Sequence, residues 1–202
     1  MFSSGICIIS IPFQPKVLLC RERRWLAMNV CVFCSSNDLD DRYMTPARQL
    51  AALIAEHGHS LVWGGSNTGV MKVMADGVQA GGGKIFGISV ELLREFARPD
   101  ADEMVIAEDL GERKAKLLSR SDVIVVLPGG LGTLDELTEI LELRKHGAHR
   151  KRVIVMNTDG FYDGLSAQLE RMSSEGFIPR ALSEYVAYAD TPEEAIALVA
   201  AT

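Results

Sequence analysis

Seven short, β-branched apolar runs separated by helix-length stretches constrain this chain more than any other feature. The runs are Val30–Phe33, Ser60–Trp63, Lys84–Ser89, Met104–Ala107, Asp122–Leu127, Arg152–Asn157 and Tyr185–Ala189. Helical patterns fill most intervals: Pro46–His57, Gly69–Ala80, Glu112–Ser119, Thr133–Lys145, Tyr162–Glu175 and Pro192–Ala200. In Val123–Leu127 apolar residues stand at successive positions, so both faces of that strand must be buried, as in a parallel sheet covered by helices. The regular alternation predicts a single-domain α/β fold, a Rossmann-like doubly wound parallel sheet with helices on both faces. Ligands of such sheets bind beyond the carboxyl ends of the strands.

Two glycine-rich turns fall at that end. Gly64-Gly65-Ser66-Asn67-Thr68-Gly69 follows one strand, and Pro128-Gly129-Gly130-Leu131-Gly132-Thr133-Leu134-Asp135-Glu136 follows another and leads into a helix. A glycine turn opening a helix presents bare backbone N–H groups where an anion such as phosphate is favoured. The chain matches no common nucleotide fingerprint. Gly130-Leu-Gly132-Thr-Leu-Asp135 lacks the last glycine of G-x-G-x-x-G, and Gly77 to Gly83-Lys84 has one residue too many for a P-loop, with Ile85 where Ser or Thr belongs.

The carboxylate of Glu136 is the odd member of the loop, because it repels phosphate. One reading makes it chemical, facing a sugar carbon that gains positive charge. The other makes Thr133 and Glu136 a capping box, each side chain satisfying the other's backbone N–H. Thr191-Pro192-Glu193-Glu194 has the same spacing with no glycine loop ahead of it, and is expected to be a cap. Upstream, Glu112-Arg113-Lys114 places two cations at a predicted helix start, against the macrodipole. They read either as a solvated face or as groups that hold phosphate or ribose oxygens.

These residues together resemble the LOG ("lonely guy") family. The resemblance rests on Pro128 to Glu136, Glu112-Arg113-Lys114-Ala115, Gly64-Gly65 with Gly69-Val70-Met71, and Val32-Phe33-Cys34-Ser35-Ser36, and spans about residues 29–177. It implies cleavage of the N-glycosidic bond of N6-modified adenosine 5'-monophosphates, releasing the cytokinin base and ribose 5-phosphate. By match to the family pattern, Arg113 and Glu136 are catalytic. Glu95, Arg113, Lys114, Gly130, Leu131, Gly132, Thr133, Leu134, Asp135 and Glu136 contact the nucleotide. The resemblance also implies no metal or organic cofactor, and a homodimer or an assembly of dimers with the site near the subunit interface. The chain departs from the family pattern at Ser35, Ser66, Lys72, Gly111 and Glu142, so the base preference is the least constrained feature. The rival reading is a nucleotide or molybdenum-cofactor carrier without turnover. Family members have also been labelled lysine decarboxylases, but nothing around Lys84, Lys114 or Lys116 offers a Schiff-base setting.

Composition excludes other classes. At 202 residues, 48% hydrophobic and with a net charge of −6, the chain is an ordinary globular protein rather than a nucleic-acid coat. No apolar stretch approaches the roughly 18 residues that span a bilayer. Cys31 and Cys34 sit inside a strand pattern and read as core residues in a reducing, cytoplasmic setting. Residues 1–27 are expected to be an N-terminal extension, with Met28 as the natural start and 28–202 as the domain. The basic Arg21-Glu-Arg-Arg24 follows the apolar run there, an order wrong for an export signal. His57 and His59 are expected to serve a helix C-terminus, His146 and His149 to face solvent, and Trp63, Met71 and Met74 to pack in the core.

Overall fold

In the computed structural model, residues 26–201 are described; the expected extension over residues 1–27 lies outside them except for its last two residues. The sheet has seven strands: β1 (Asn29–Phe33), β2 (Ser60–Trp63), β3 (Ile85–Val90), β4 (Glu103–Ala107), β5 (Val123–Val126), β6 (Val153–Met156) and β7 (Ala187–Ala189). Their order across the sheet is β4-β3-β2-β1-β5-β6-β7, and every pairing is parallel. The chain winds outward from β1 to β4, then returns to lay β5 beside β1. A topological switch point therefore lies between β1 and β5, where a crevice opens at the carboxyl ends.

Six helices cover the sheet: α1 (Asp41–Glu56), α2 (Gly69–Ala80), α3 (Leu110–Arg120), α4 (Leu131–Lys145), α5 (Asp163–Ser174) and α6 (Pro192–Ala200). Strand alternation divides the core in two. Val30, Val32, Val123 and Val125 point to one face and pack with Leu50, Ile54, Met74 and Ile196 of α1, α2 and α6. Cys31, Phe33, Ile124 and Val126 point to the other and pack with Leu117, Leu137 and Ile140 of α3 and α4. Trp63 and Met74 are fully buried, and Cys31 and Cys34 are buried free thiols whose titration burial pushes up. Among the described residues no helix is long and apolar enough to cross a membrane.

Three helices start earlier than the sequence expectation. α1 begins five residues before Pro46, because Asp40 caps it by accepting the Arg42 N–H at 3.0 Å. Pro46 then sits inside the helix, where its missing N–H costs one hydrogen bond but does not end the element. α3 begins at Leu110, with Asp109 accepting the Glu112 N–H at 2.8 Å and Glu112 accepting the Glu108 N–H at 2.6 Å. Glu112 thus completes a reciprocal cap that the sequence reading did not identify, and Arg113 lies in the second half of the first turn. The third difference decides the site.

Candidate functional site

α4 starts at Leu131 with Gly130 as its N-cap, and no side chain caps it. Thr133 is therefore third in the helix and Glu136 sixth, too far along for a capping box. The expected control does cap: Thr191 accepts the Glu194 N–H at 3.2 Å, and Glu194 accepts the Asp190 N–H at 2.8 Å. The same spacing gives two structures because Gly130, without a side chain, takes the cap position that Thr133 would need. The early amides of α4 are left beside an exposed Gly130 and Gly132, with the helix dipole behind them.

Freed from capping, Glu136 turns into the protein. Its Oε1 accepts a hydrogen bond from Arg113 Nη1 at 2.6 Å, and both side chains are more than nine-tenths buried. Arg113 reaches across from α3 and is held at its other end, where Nε donates to the Ile88 carbonyl at 3.0 Å. A third contact fixes the guanidinium: a Cβ on Gly64 would stand 2.2 Å from Nη2. The first glycine after β2 is thus required so that Arg113 can lie flat against the turn. Burial raises the Glu136 carboxyl above the usual glutamate range, and the Arg113 cation works against that rise. A buried carboxylate paired with one buried cation at the switch point makes Glu136 and Arg113 candidate functional groups.

The crevice continues as a cavity of about 390 Å³ whose walls include Ser36 and Asn37 after β1, Ser89 in β3, Met71 of α2, and Leu93 and Phe96. Arg113 lines it as well, so one guanidinium connects the cavity to Glu136. Thr68 donates to the Ser36 carbonyl at 2.9 Å, tying the turns after β1 and β2 together. Gly69 makes that junction possible: its φ is +57° and a Cβ would stand 2.3 Å from the Ser36 carbonyl carbon.

Leu93 and Phe96 belong to a 3-10 segment, Glu91–Phe96, which Arg98 fastens in place. The Arg98 backbone N–H donates to the Gly65 carbonyl at 2.8 Å, and its guanidinium donates to Asp76 at 2.5 Å and Gln79 at 2.7 Å on α2. Ser89, Asn37, Leu93, Phe96 and Arg98 were not singled out from the sequence. Ser89 had a signal, a hydroxyl in an otherwise apolar strand; Arg98 had none, since its partners are distant in the chain.

The structure brings some expected residues together and leaves others apart. Arg113, Glu136, Thr133 and the turn Gly130 to Gly132 meet at the switch point. Thr133 is buried, while Leu131, Leu134 and Asp135 are exposed on the loop side of α4. Lys114 is occupied by carboxylates: its Nζ bonds Asp135 at 3.0 Å and pairs with Glu139, contacts that raise its pKa. Glu95 is exposed and does not line the cavity. His149, expected in solvent, is buried; its ring faces the Ile140 carbonyl at 2.9 Å and accepts the Lys151 N–H at 3.2 Å, which fixes the turn after α4. Trp63 donates to the Ser66 carbonyl at 3.2 Å and supports the crevice from within the core. Among the described residues no group of three or more His, Cys, Asp or Glu could hold a metal ion.

Comparison with known proteins identifies the family. A family model described as "possible lysine decarboxylase" matches residues 71–199. A cytokinin riboside 5'-monophosphate phosphoribohydrolase of Mycobacterium marinum is 34% identical over 175 residues, 86% of this chain and 92% of the relative. The rice phosphoribohydrolase named LOG is 33% identical over 87% of this chain and 74% of its own length. The chain belongs to the LOG family. Among solved structures, a molybdenum cofactor binding protein of Rippkaea orientalis superposes with a TM-score of 0.67 at 26% identity, covering 86% of this chain and 96% of that one. The decarboxylase label in the LOG family model finds no support in the lysines here. Lys84 is exposed, Lys116 pairs with Glu112 at 3.1 Å, and Lys114 is held charged, whereas a Schiff base needs a neutral amine.

Proposed function

We propose that this protein hydrolyses the N-glycosidic bond of nucleoside 5'-monophosphates, with N6-modified adenosine monophosphates as the favoured class, to give free base and ribose 5-phosphate. The observation that carries the reading is the buried Arg113–Glu136 pair beside the uncapped start of α4. The relatives' names give the same reaction class. In this reading the amides from Gly130 to Thr133 take the 5'-phosphate, where the dipole favours an anion. The C1'–N9 bond breaks with its electron pair leaving on the base, and the ribose becomes oxocarbenium-like. Glu136 stabilises that cation and orients the water that attacks C1'. The water gives up a proton as its oxygen bonds C1', and the departing base takes up one, so that water's H and OH end on the base and the ribose. Arg113 holds Glu136 and turns its remaining N–H groups to ribose oxygens. Water is the only co-reactant.

The cavity receives the base. Met71, Leu93 and Phe96 give an apolar wall suited to an N6 alkyl group, with Ser36, Asn37 and Ser89 available for ring nitrogens. Leu92, Leu110 and Leu131 are 79%, 52% and 87% exposed at this same end of the sheet. In this reading a second copy covers them, so the working unit is a homodimer or an assembly of dimers. Light scattering at micromolar concentration tests that, with a monomer mass as the contrary result. The test of the activity itself is free adenine or isopentenyladenine, followed by chromatography, from AMP and isopentenyl-AMP. Binding of either nucleotide with no base released would make the protein a carrier.

A further inference from the structure

A cavity larger than the one at the crevice lies elsewhere among the described residues. A cleft of about 620 Å³ lies at the opposite, amino end of the sheet, where Val153 opens β6 and Ala187 opens β7. Its walls carry Arg144, Arg150, Arg152 and Arg180 against one carboxylate, Glu184. In a chain with a net charge of −6, that is a concentrated patch of positive charge in a concave site.

Among the described residues the arginines outnumber the carboxylates that offset them. Arg144 donates to the carbonyls of Glu184, at 2.9 Å, and Lys151; Arg152 donates to the Leu198 carbonyl at 3.1 Å. Among the described residues no carboxylate pairs with Arg144, Arg150 or Arg152, and Arg180 reaches Glu184 only at 3.8 Å. Burial first, and then the nearby Arg152, lower the Arg144 pKa, and Glu184 only partly offsets them. The fold nevertheless holds them together: Gly147, at φ +75°, reverses the chain after α4, and His149 uses both ring nitrogens to lock the returning segment. Tyr185 lines the same cleft, 94% buried, and its hydroxyl has no hydrogen-bond partner. A buried hydroxyl without a partner, in a cleft whose guanidiniums are met mainly by carbonyls, is an incomplete polar set.

We infer that this cleft is a second binding site, separate from the crevice, for a small anion bearing several phosphate groups. Guanidinium forks match phosphate oxygens bidentately, four of them exceed the need of a single phosphate, and the volume is that of a small-molecule site. α4 runs between the two sites: its first turn carries the glycine loop and its last turn carries Arg144, about 20 Å away at 1.5 Å per residue. An occupant of the cleft therefore touches the far end of the helix that holds Glu136.

Calorimetric titration of the full chain with inorganic triphosphate, ATP and inorganic phosphate tests the site. Triphosphate or ATP is expected to bind at least tenfold tighter than phosphate. The double variant Arg150→Ser with Arg180→Ser, both exposed side chains, is expected to weaken that binding at least tenfold, while Glu136→Gln leaves it within twofold. Tighter ATP supports a nucleotide as the natural occupant and tighter triphosphate a bare polyphosphate; the site stands in both cases. No binding, or binding that survives the arginine changes and disappears in Arg113→Ala, overturns it.

Discussion

At the residue scale the decisive contact is one hydrogen bond, 2.6 Å from Arg113 Nη1 to Glu136 Oε1. Removing one partner of a buried ion pair leaves the other uncompensated, a loss of about 3–5 kcal/mol. Arg113→Ala is therefore expected to lower stability as well as turnover, and to do so in a pH-dependent way. Burial already raises the Glu136 pKa, and the variant loses the cation that opposed the rise. A carboxyl whose folded pKa exceeds its unfolded pKa stabilises the fold below the unfolded value and loses that contribution as pH rises through the folded one. Denaturation of Arg113→Ala should show its deficit against the parent growing from pH 5 to pH 8; a constant deficit would mean that Glu136 is not the stranded group. If Glu136 acts on the sugar as proposed, the same raised pKa is expected to place the acid limb of a kcat pH profile above the ordinary glutamate range. None of this pairing was legible from spacing, because Thr133-x-x-Glu136 is a valid capping box on paper and only the cap position of Gly130 rules it out.

At the element scale, glycines and short caps determine where the functional side chains meet. Gly64 gives Arg113 its space, so Gly64→Ala forces a methyl group to within 2.2 Å of Nη2. Because the conflict is with the end of a flexible side chain, the fold should survive while the guanidinium moves off Glu136. Base release is expected to fall by at least tenfold with little change in melting temperature; unchanged activity would show that the position of Arg113 is not critical. The strands and helices themselves were readable from the sequence. β2 and α2 match the expected ranges residue for residue, because Gly64-Gly65 and Gly81 bound them clearly. The starts of α1 and α3 were not, since the capping aspartates Asp40 and Asp109 lie in acidic stretches where several residues could cap. Arg98 was invisible for a different reason: its work depends on Asp76, Gln79 and the Gly65 carbonyl, which only the folded chain brings together.

At the scale of the whole molecule, the parallel sheet separates stability from chemistry. The face covered by α1, α2 and α6 is packed around Ile54, Leu50 and Met74. The face covered by α3 and α4 carries Arg113 and Glu136 at its crevice end. Ile54→Ala on the first face is expected to cost about 2–5 kcal/mol in a denaturant melt. Turnover per folded molecule should stay within twofold, because α1 packs on the opposite face of the sheet from α3 and α4, which carry the buried pair. Loss of specific activity in proportion to stability would show the two faces to be coupled. The alternating run of β-branched segments and helices made this architecture legible, since parallel strands need a crossover and both faces must be covered. The second, arginine-lined cleft was not legible, because Arg144, Arg150, Arg152 and Arg180 are ordinary surface residues until β6 and β7 align.

The central claim is that Glu136 acts on the sugar rather than on the fold. Glu136→Gln keeps the shape and a hydrogen-bond acceptor for Arg113 but removes the negative charge. Single-turnover base release from AMP by this variant, with AMP affinity measured in parallel, tests that claim most directly. A loss of about 10²–10⁴-fold in the rate is expected, the range for a positioned acid–base group, with affinity changed by no more than a few-fold. Base release at the parent rate would contradict it.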